Sequence, residues 1–335
     1  MKKLLSARKI LLFLVLLLEG IQLCFSINSS FGCIEGERQA LLKLKQSFID
    51  PSNRLVSWTG EDCCRWSGVS CNTSTGHVVK LDLRVPTHSV LDVESGLFYN
   101  EYNSSEQLSA SQVNSCLAEL KHLEYLDLSG IDFNQSRIPE FFGSLKHLTY
   151  LNISGARFGG KIPHQLGNLT RLEVLDLSGY YYGPLYADTF QWASSLLSLQ
   201  HLDMSGVDLG KALDLMPVLS KLPSLVQLQL TACNIQNIHF RRDWVNSTFI
   251  ASIQFLGLGD NELTGEVPTA FHNMTALRQL DLGFQGFPGG LYADNLQWVS
   301  SLSSLQDLDM SLMDLSKAHD LIQVLIKLPS LVYWQ

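Results

Sequence analysis

Four cysteines crowd into a short stretch near the start of the chain: Cys33, Cys63, Cys64 and Cys71. Such a cluster does one of two things, bonding pairwise as disulfides or holding zinc as thiolates. The adjacent pair Cys63-Cys64 lacks the two-residue gap of a zinc knuckle, so the spacing favours disulfides, and no metal or cofactor is expected. Aspartates recur in L-D-L or L-D-M triplets, with Asp127, Asp176, Asp203, Asp281 and Asp309 as the repeated members. They raise the question of a carboxylate pair for acid–base chemistry. The nine histidines are dispersed, however, and no G-x-S-x-G, H-E-x-x-H or phosphate loop occurs. The expectation is a protein without catalytic activity. Eight N-x-S/T sequons, at Asn28, Asn72, Asn103, Asn134, Asn152, Asn168, Asn246 and Asn273, point to glycosylated surface.

The elements that must position these residues repeat. An apolar ladder of the form L-x-x-L-x-L, or a close variant, is centred on Leu81, Leu126, Leu151, Leu175, Leu202, Leu228, Leu256, Leu280, Leu308 and Trp334. After the first interval the steps run from 24 to 28 residues. A period of about 20–29 with leucines so spaced is the signature of a leucine-rich-repeat solenoid. Each coil is too small to enclose a core and buries its leucines against its neighbours. The fold class expected is therefore an α/β solenoid, a leucine-rich-repeat superhelix with parallel strands on its concave face. Binding, not catalysis, is what such a surface does by default.

The ends differ from the middle. Lys2, Lys3, Arg8 and Lys9 precede an apolar run over residues 10–18, and Cys24-Phe25-Ser26 supplies a small-x-small site. This reads as a signal peptide over 1–26, since the run is shorter than the ~20 residues of a spanning helix. An extracellular or cell-surface destination follows, and six cysteines remain. A cap is expected over 27–77. In residues 37–48 Ala40, Leu41, Leu44 and Phe48 share one helical face, and Asp50-Pro51 stops the helix. The solenoid then occupies 78–335 in about ten coils. The interval from Leu81 to Leu126 is 45 residues, so residues 85–107, with Tyr99 and Tyr102, are expected to bulge from the first coil as a loop. The last ladder stops inside a strand with no closing cysteine pair or polar coil, which reads as a truncated product or fragment of low solubility.

The segment containing Glu37-Arg38-Gln39-Ala40-Leu41-Leu42, Trp58, Cys63-Cys64, Trp66 and Val69-Ser70-Cys71 resembles the N-terminal cap of plant leucine-rich-repeat receptors. The plant-type extension G-x-I-P-x-x-L-G-x-L is present as Gly160-Lys161-Ile162-Pro163 with Leu166-Gly167-Asn168-Leu169. Weaker copies are Ile138-Pro139 and Gly265-Glu266-Val267-Pro268. Together these look like receptor-like proteins that recognise microbial elicitors, the ethylene-inducing-xylanase receptors in particular. The resemblance implies disulfides Cys33–Cys63 and Cys64–Cys71, a protein or peptide ligand, and a co-receptor kinase for a full-length form. A second resemblance, to secreted polygalacturonase inhibitors, implies a different partner, but their C-terminal cysteine pair has no counterpart here. Net charge of −8 with scattered basic residues argues against nucleic acid.

Within each strand three positions face outward on the concave side. Two of the resulting columns are monotonous, one mostly aspartate and one mostly serine. The third varies: Tyr125, Tyr150, Val174, His201, Gln227, Phe255, Gln279 and Asp307. This column is the candidate ligand surface. Two further features stand out. Residues 185–229 recur at 291–335 with 31 of 45 positions identical, so four coils were duplicated as a block. The asparagine usual at the turn after the ladder survives only as Asn261, its counterparts being Ile131, Ala156, Tyr180, Val207, Cys233, Gln285 and Met313. A less regular inner turn is therefore expected. Cys116 and Cys233, about four coils apart, are too distant to bond and are expected to be buried as small hydrophobes.

Overall fold

The computed structural model describes residues 32–91, 98–102, 104–179, 183–237, 251–267, 269–285 and 290–335. The leader, Tyr180 and the sequons at Asn28, Asn103 and Asn246 lie outside the described residues.

A leucine between two outward-facing neighbours has nowhere to go but inward, and repetition at a constant period stacks those leucines in file. All ten ladder positions fall in one eleven-stranded sheet. Leu81 pairs with Leu126, Leu126 with Leu151, and so on without a slip to Leu308 and Trp334. The nine ladder leucines are 2% exposed or less. One apolar cluster runs unbroken from Ala40 in the cap to Leu328. On the convex side successive coils contribute short 3₁₀ helices, among them Glu140–Ser144, His164–Asn168 and Gln191–Ser195. They approach closely because glycine sits at the contact: a Cβ on Gly167 would lie 2.1 Å from the carbonyl oxygen of Trp192. The plant-type extension begins a minor parallel pairing, Gly160–Lys161 with Leu185–Tyr186, repeated as Gly265–Glu266 with Leu291–Tyr292.

The duplicated blocks fold alike. Strand His201–Asp203 corresponds to Asp307–Asp309, helix Leu215–Leu219 to Leu321–Leu325, and strand Gln227–Gln229 to Tyr333–Trp334.

The cap helix is longer at its start than its periodicity implied, spanning Glu35–Ser47, and it buries Glu37 along with Ala40, Leu41 and Leu44. Glu37 is satisfied: one carboxylate oxygen accepts from Val78 N at 2.7 Å and the other meets His77 Nδ1 at 2.9 Å. Trp58 and Trp66 stack at 5.5 Å, each indole donating to a backbone carbonyl. Both disulfides form as the resemblance implied, Cys33–Cys63 and Cys64–Cys71. Strand Val69–Cys71 pairs antiparallel with Val78–Asp82 and so closes the edge that the first coil would otherwise leave open. Among the described residues no helix is long and apolar enough to cross a membrane.

Three expectations are corrected. The insertion at 85–107 is not a plain loop. Val85 still belongs to the first coil, buried and donating to Ser129 O, and the chain then forms an antiparallel hairpin, Thr87–Leu91 with Phe98–Tyr102. The Tyr102 ring lies on Gly130 and Gly155, where an added Cβ would come within 2.3 and 2.1 Å of ring carbons, and its hydroxyl donates to Ser154 O at 3.1 Å. The hairpin is thereby strapped to the rim of the second and third coils.

The inner turn, second, stays regular although asparagine is mostly lost. Asn261 donates to the carbonyls of Leu230, Leu258 and Gly259 and accepts from Cys233 N and Ile235 N. Gln285 does similar work one coil on, donating to Leu258 O and Leu282 O and accepting from Leu263 N. At Ile131, Ala156, Val207 and Met313 the backbone closes the turn itself, each N–H donating to the carbonyl three residues back. Third, the unpaired cysteines are more than apolar filler. Cys233 donates its thiol to Met204 O at 3.1 Å, standing in for the missing amide. Cys116 is only half-buried, with its thiol directed at Ala40 O. Burial raises the pKa of both thiols.

Candidate functional site

The concave face is built by the strands' outward positions, and in-register pairing fixes which side chains become neighbours. Tyr125, Tyr150, Val174, His201, Gln227, Phe255, Gln279 and Asp307 stand opposite one another in consecutive strands as one continuous column. The same register adds Lys80 at its head, a residue that extending the pattern to Leu81 would have supplied.

The column has two parts. At the N-terminal end the side chains are engaged with each other. Tyr125 and Tyr150 stack with centroids 4.1 Å apart and planes 6° from parallel, and the Lys80 ammonium lies 4.2 Å above Tyr125. Both phenols donate to Asp127 Oδ2, at 3.2 and 3.4 Å. Arg84 pairs with Asp82, and that carboxylate raises the guanidinium's pKa. Burial, followed by the charge of Asp127, raises the pKa of Tyr125. These tyrosines are held in place, so their exposed faces form a rigid aromatic platform. Beyond Val174 the character changes. His201 and Gln279 are exposed, Gln227 and Phe255 half-buried, and Gly257 and Gly259 remove two side chains beside Phe255.

The aspartate column serves the strand ends. Asp127, Asp176 and Asp309 each accept from the backbone N–H and the hydroxyl of the serine two residues on, and Asn152 does the same with Ser154. Asp203 and Asp281 accept the equivalent backbone N–H. Each carboxylate is engaged at its own strand end, and Asp127 accepts from the Tyr125 and Tyr150 phenols as well. Three of them, Asp176, Asp203 and Asp281, nevertheless ionise reluctantly where they stand buried. Burial, then the charge of Asp203, lifts Asp176 to about 6, and burial lifts Asp281 to about 6 and Asp203 in the same direction.

A carboxyl whose pKa is raised by folding contributes stability while protonated and loses it as pH rises through the folded value. Asp82 and Asp214 are shifted downward, so their losses fall below the ordinary carboxylate range. The solenoid is therefore expected to melt at higher temperature near pH 5 than near pH 7.5, by a difference on the order of 1 kcal/mol for each of Asp176 and Asp281. Thermal melts of the native chain and of Asp176→Asn with Asp281→Asn test this. A native chain with no change across that range would refute it.

The sequons divide by accessibility. Asn72, Asn134, Asn168 and Asn273 are exposed. Asn152 is half-buried on the concave face, and its amide nitrogen donates to the Tyr150 hydroxyl at 3.3 Å, so a glycan there would have to rise from within the tyrosine platform.

With the stacked coils and their varied concave column in view, the comparisons with known proteins fall into place. Residues 34–72 match the leucine rich repeat N-terminal domain and residues 87–335 match the leucine-rich repeat region, and the chain belongs to the leucine-rich-repeat proteins. Its similar relatives are plant receptor-like proteins. Receptor-like protein EIX1 of Solanum lycopersicum is 33% identical over 284 residues, covering 78% of this chain and 26% of the relative. Receptor-like protein Cf-9 of Solanum pimpinellifolium is 31% identical over 288 residues, covering 79% of this chain and 30% of the relative. The chain thus spans about a quarter to a third of the length of these relatives. Among solved structures it resembles PEPR1 bound to AtPEP1 (TM-score 0.62, 21% identity, 89% of this chain and 37% of that one). It also resembles the Arabidopsis receptor kinase HAESA with the peptide hormone IDA and the co-receptor SERK1 (TM-score 0.53, 23% identity, 90% and 53%). At these identities the likeness is one of fold.

Proposed function

We propose that this chain is an extracellular recognition module of a plant receptor-like protein, binding a protein or peptide ligand on its concave face in defence signalling. The observation that carries the reading is the contrast between columns. Aspartate and serine repeat coil after coil because they close strand ends, whereas the column through His201, Gln227, Phe255 and Gln279 varies and carries no such duty. The relatives support it: Cf-9 and EIX1 are receptor-like proteins. PEPR1 and HAESA, which share the fold, were solved with peptides, and HAESA with a co-receptor as well. A co-receptor kinase is accordingly the second partner proposed for a full-length form.

Phe255 is the expected anchor, since a half-buried aromatic offers large contact area at little entropic cost. Selecting binders from a displayed peptide library on the secreted protein gives the test. Phe255→Ala is expected to weaken selected binders by more than ~1 kcal/mol, about fivefold, while Ser205→Ala leaves them unchanged. Binders indifferent to Phe255, Gln227 and His201 but sensitive to convex residues would reject the concave site.

A further inference from the structure

Each strand is entered through a tight turn, and the residue four before the ladder position forms a column of its own along the flank. It reads His77, His122, His147 and Arg171 in the first four coils, then serine or alanine in every later one. The imidazoles of His77 and His122 stack with centroids 3.8 Å apart, those of His122 and His147 lie 5.7 Å apart, and Arg171 Nη1 is 3.1 Å from His147 Nδ1. Lys121 and Lys146 precede the histidines in the same turns. All of these except His77 are exposed. Five outward-facing cationic or protonatable groups thus occupy three consecutive coils, repeating at roughly the 4.8 Å pitch of paired strands.

We propose that this flank binds a linear carboxylated polysaccharide laid along the solenoid axis. The array is one-dimensional and regular, and no exposed large hydrophobic side chain lies within it. A protein partner would want an apolar centre to its interface, and the strip has none. Nucleic acid is recognised by denser Lys/Arg grooves with aromatic platforms for the bases. Here exposed Glu119, Glu124 and Glu173 stand beside the cations and keep the potential moderate. A polyuronate presents one carboxylate per sugar at regular intervals, and ammonium, guanidinium and imidazolium all donate to carboxylate oxygens.

Imidazole is the side chain that gains a proton on mild acidification, so the histidines give the strip a means of responding to acid. Glu37 faces His77 and answers a charge there, so the outward gain comes from His122 and His147. Protonating His147 at Nδ1 also ends its acceptance from Arg171 and frees the guanidinium for an incoming carboxylate. Like charges stacked at this distance repel, and a bound carboxylate relieves them. This surface shares no residue with the concave column, so the two readings stand or fall separately.

The test uses the secreted chain with a size-defined oligogalacturonate as probe, and neutral dextran and polyglutamate of matched length as comparisons. Binding is expected to be roughly threefold to tenfold tighter near pH 5.5 than near pH 7.5 and to weaken with salt. The double variant His122→Gln and His147→Gln should keep its neutral-pH affinity and lose the acid gain. Lys121→Gln with Arg171→Gln should bind less tightly at both pH values. All four residues are exposed, and an unchanged melt confirms that each variant is folded. Oligogalacturonate binding that is absent at acid pH, or indifferent to all four substitutions, overturns the proposal. Equal binding of polyglutamate overturns the assignment to polysaccharide.

Discussion

Replacing Cys33 and Cys63 together by serine is expected to destabilise the cap by about 4 kcal/mol, against about 2.5 kcal/mol for the pair Cys64 and Cys71. The difference follows from sequence separation, 30 residues for the first bond and 7 for the second, since a longer loop loses more freedom when closed. What each bond holds reinforces the ranking. The first ties the start of the cap helix to the buried Cys63 beside the stacked tryptophans, and the second ties the turn to strand Val69–Cys71, which seals the sheet edge. Denaturant unfolding followed through tryptophan fluorescence, together with the yield of secreted protein, measures the effect. Equal losses for the two pairs, or no loss for the first, would contradict it.

Asn261→Ala is expected to destabilise the solenoid by about 3–5 kcal/mol, more than any single truncation on the concave face. Asn261 is 2% exposed and its amide serves five backbone groups across two coils; alanine would strip the partner from the buried N–H groups of Cys233 and Ile235 and from Leu230 O, and would weaken the bonding of Leu258 O and Gly259 O. Asn261→Gln should recover part of the loss, because Gln285 shows that the longer amide fits the same kind of turn. Hydrogen exchange at Cys233 N and Ile235 N should accelerate in the alanine variant. Unchanged protection at both amides would show that the amide is not what holds the turn.

The ladder, the cap and the in-file column are legible in the sequence, since each reflects a requirement that repeats or a motif with fixed spacing, while the pairing of the four cap cysteines follows only from the family resemblance. A leucine in each coil must be buried, so its position needs no knowledge of tertiary contacts. The hairpin over Thr87–Leu91 and Phe98–Tyr102 was not legible, because nothing elsewhere in the chain repeats it and its docking depends on glycines tens of residues away. Residue identity alone hides the turn roles of Cys233 and Gln285. What the turn needs is a donor of the right reach, and a thiol or a longer amide supplies one. The engagement of Tyr125 and Tyr150 was equally hidden, since it comes from Asp127, Lys80 and the stack, not from the column's own variation.

The duplicated block has a consequence for how the molecule assembles. Residues 185–229 and 291–335 fold into the same succession of strand, helix and strand, with most side chains the same, and a parallel sheet pairs each strand in the same way with any neighbour. A nascent coil from one block would therefore find an acceptable seat where the other belongs, skipping four coils into a topologically wrong stack. The distinguishing contacts lie between the blocks, where Asn261 and Gln285 bind carbonyls that the repeated segments do not duplicate. Vectorial emergence from the ribosome would stack the earlier block before its twin exists, whereas refolding from denaturant offers both at once. Such a chain should mature faithfully during synthesis and refold in a test tube with a slow, misthreaded fraction.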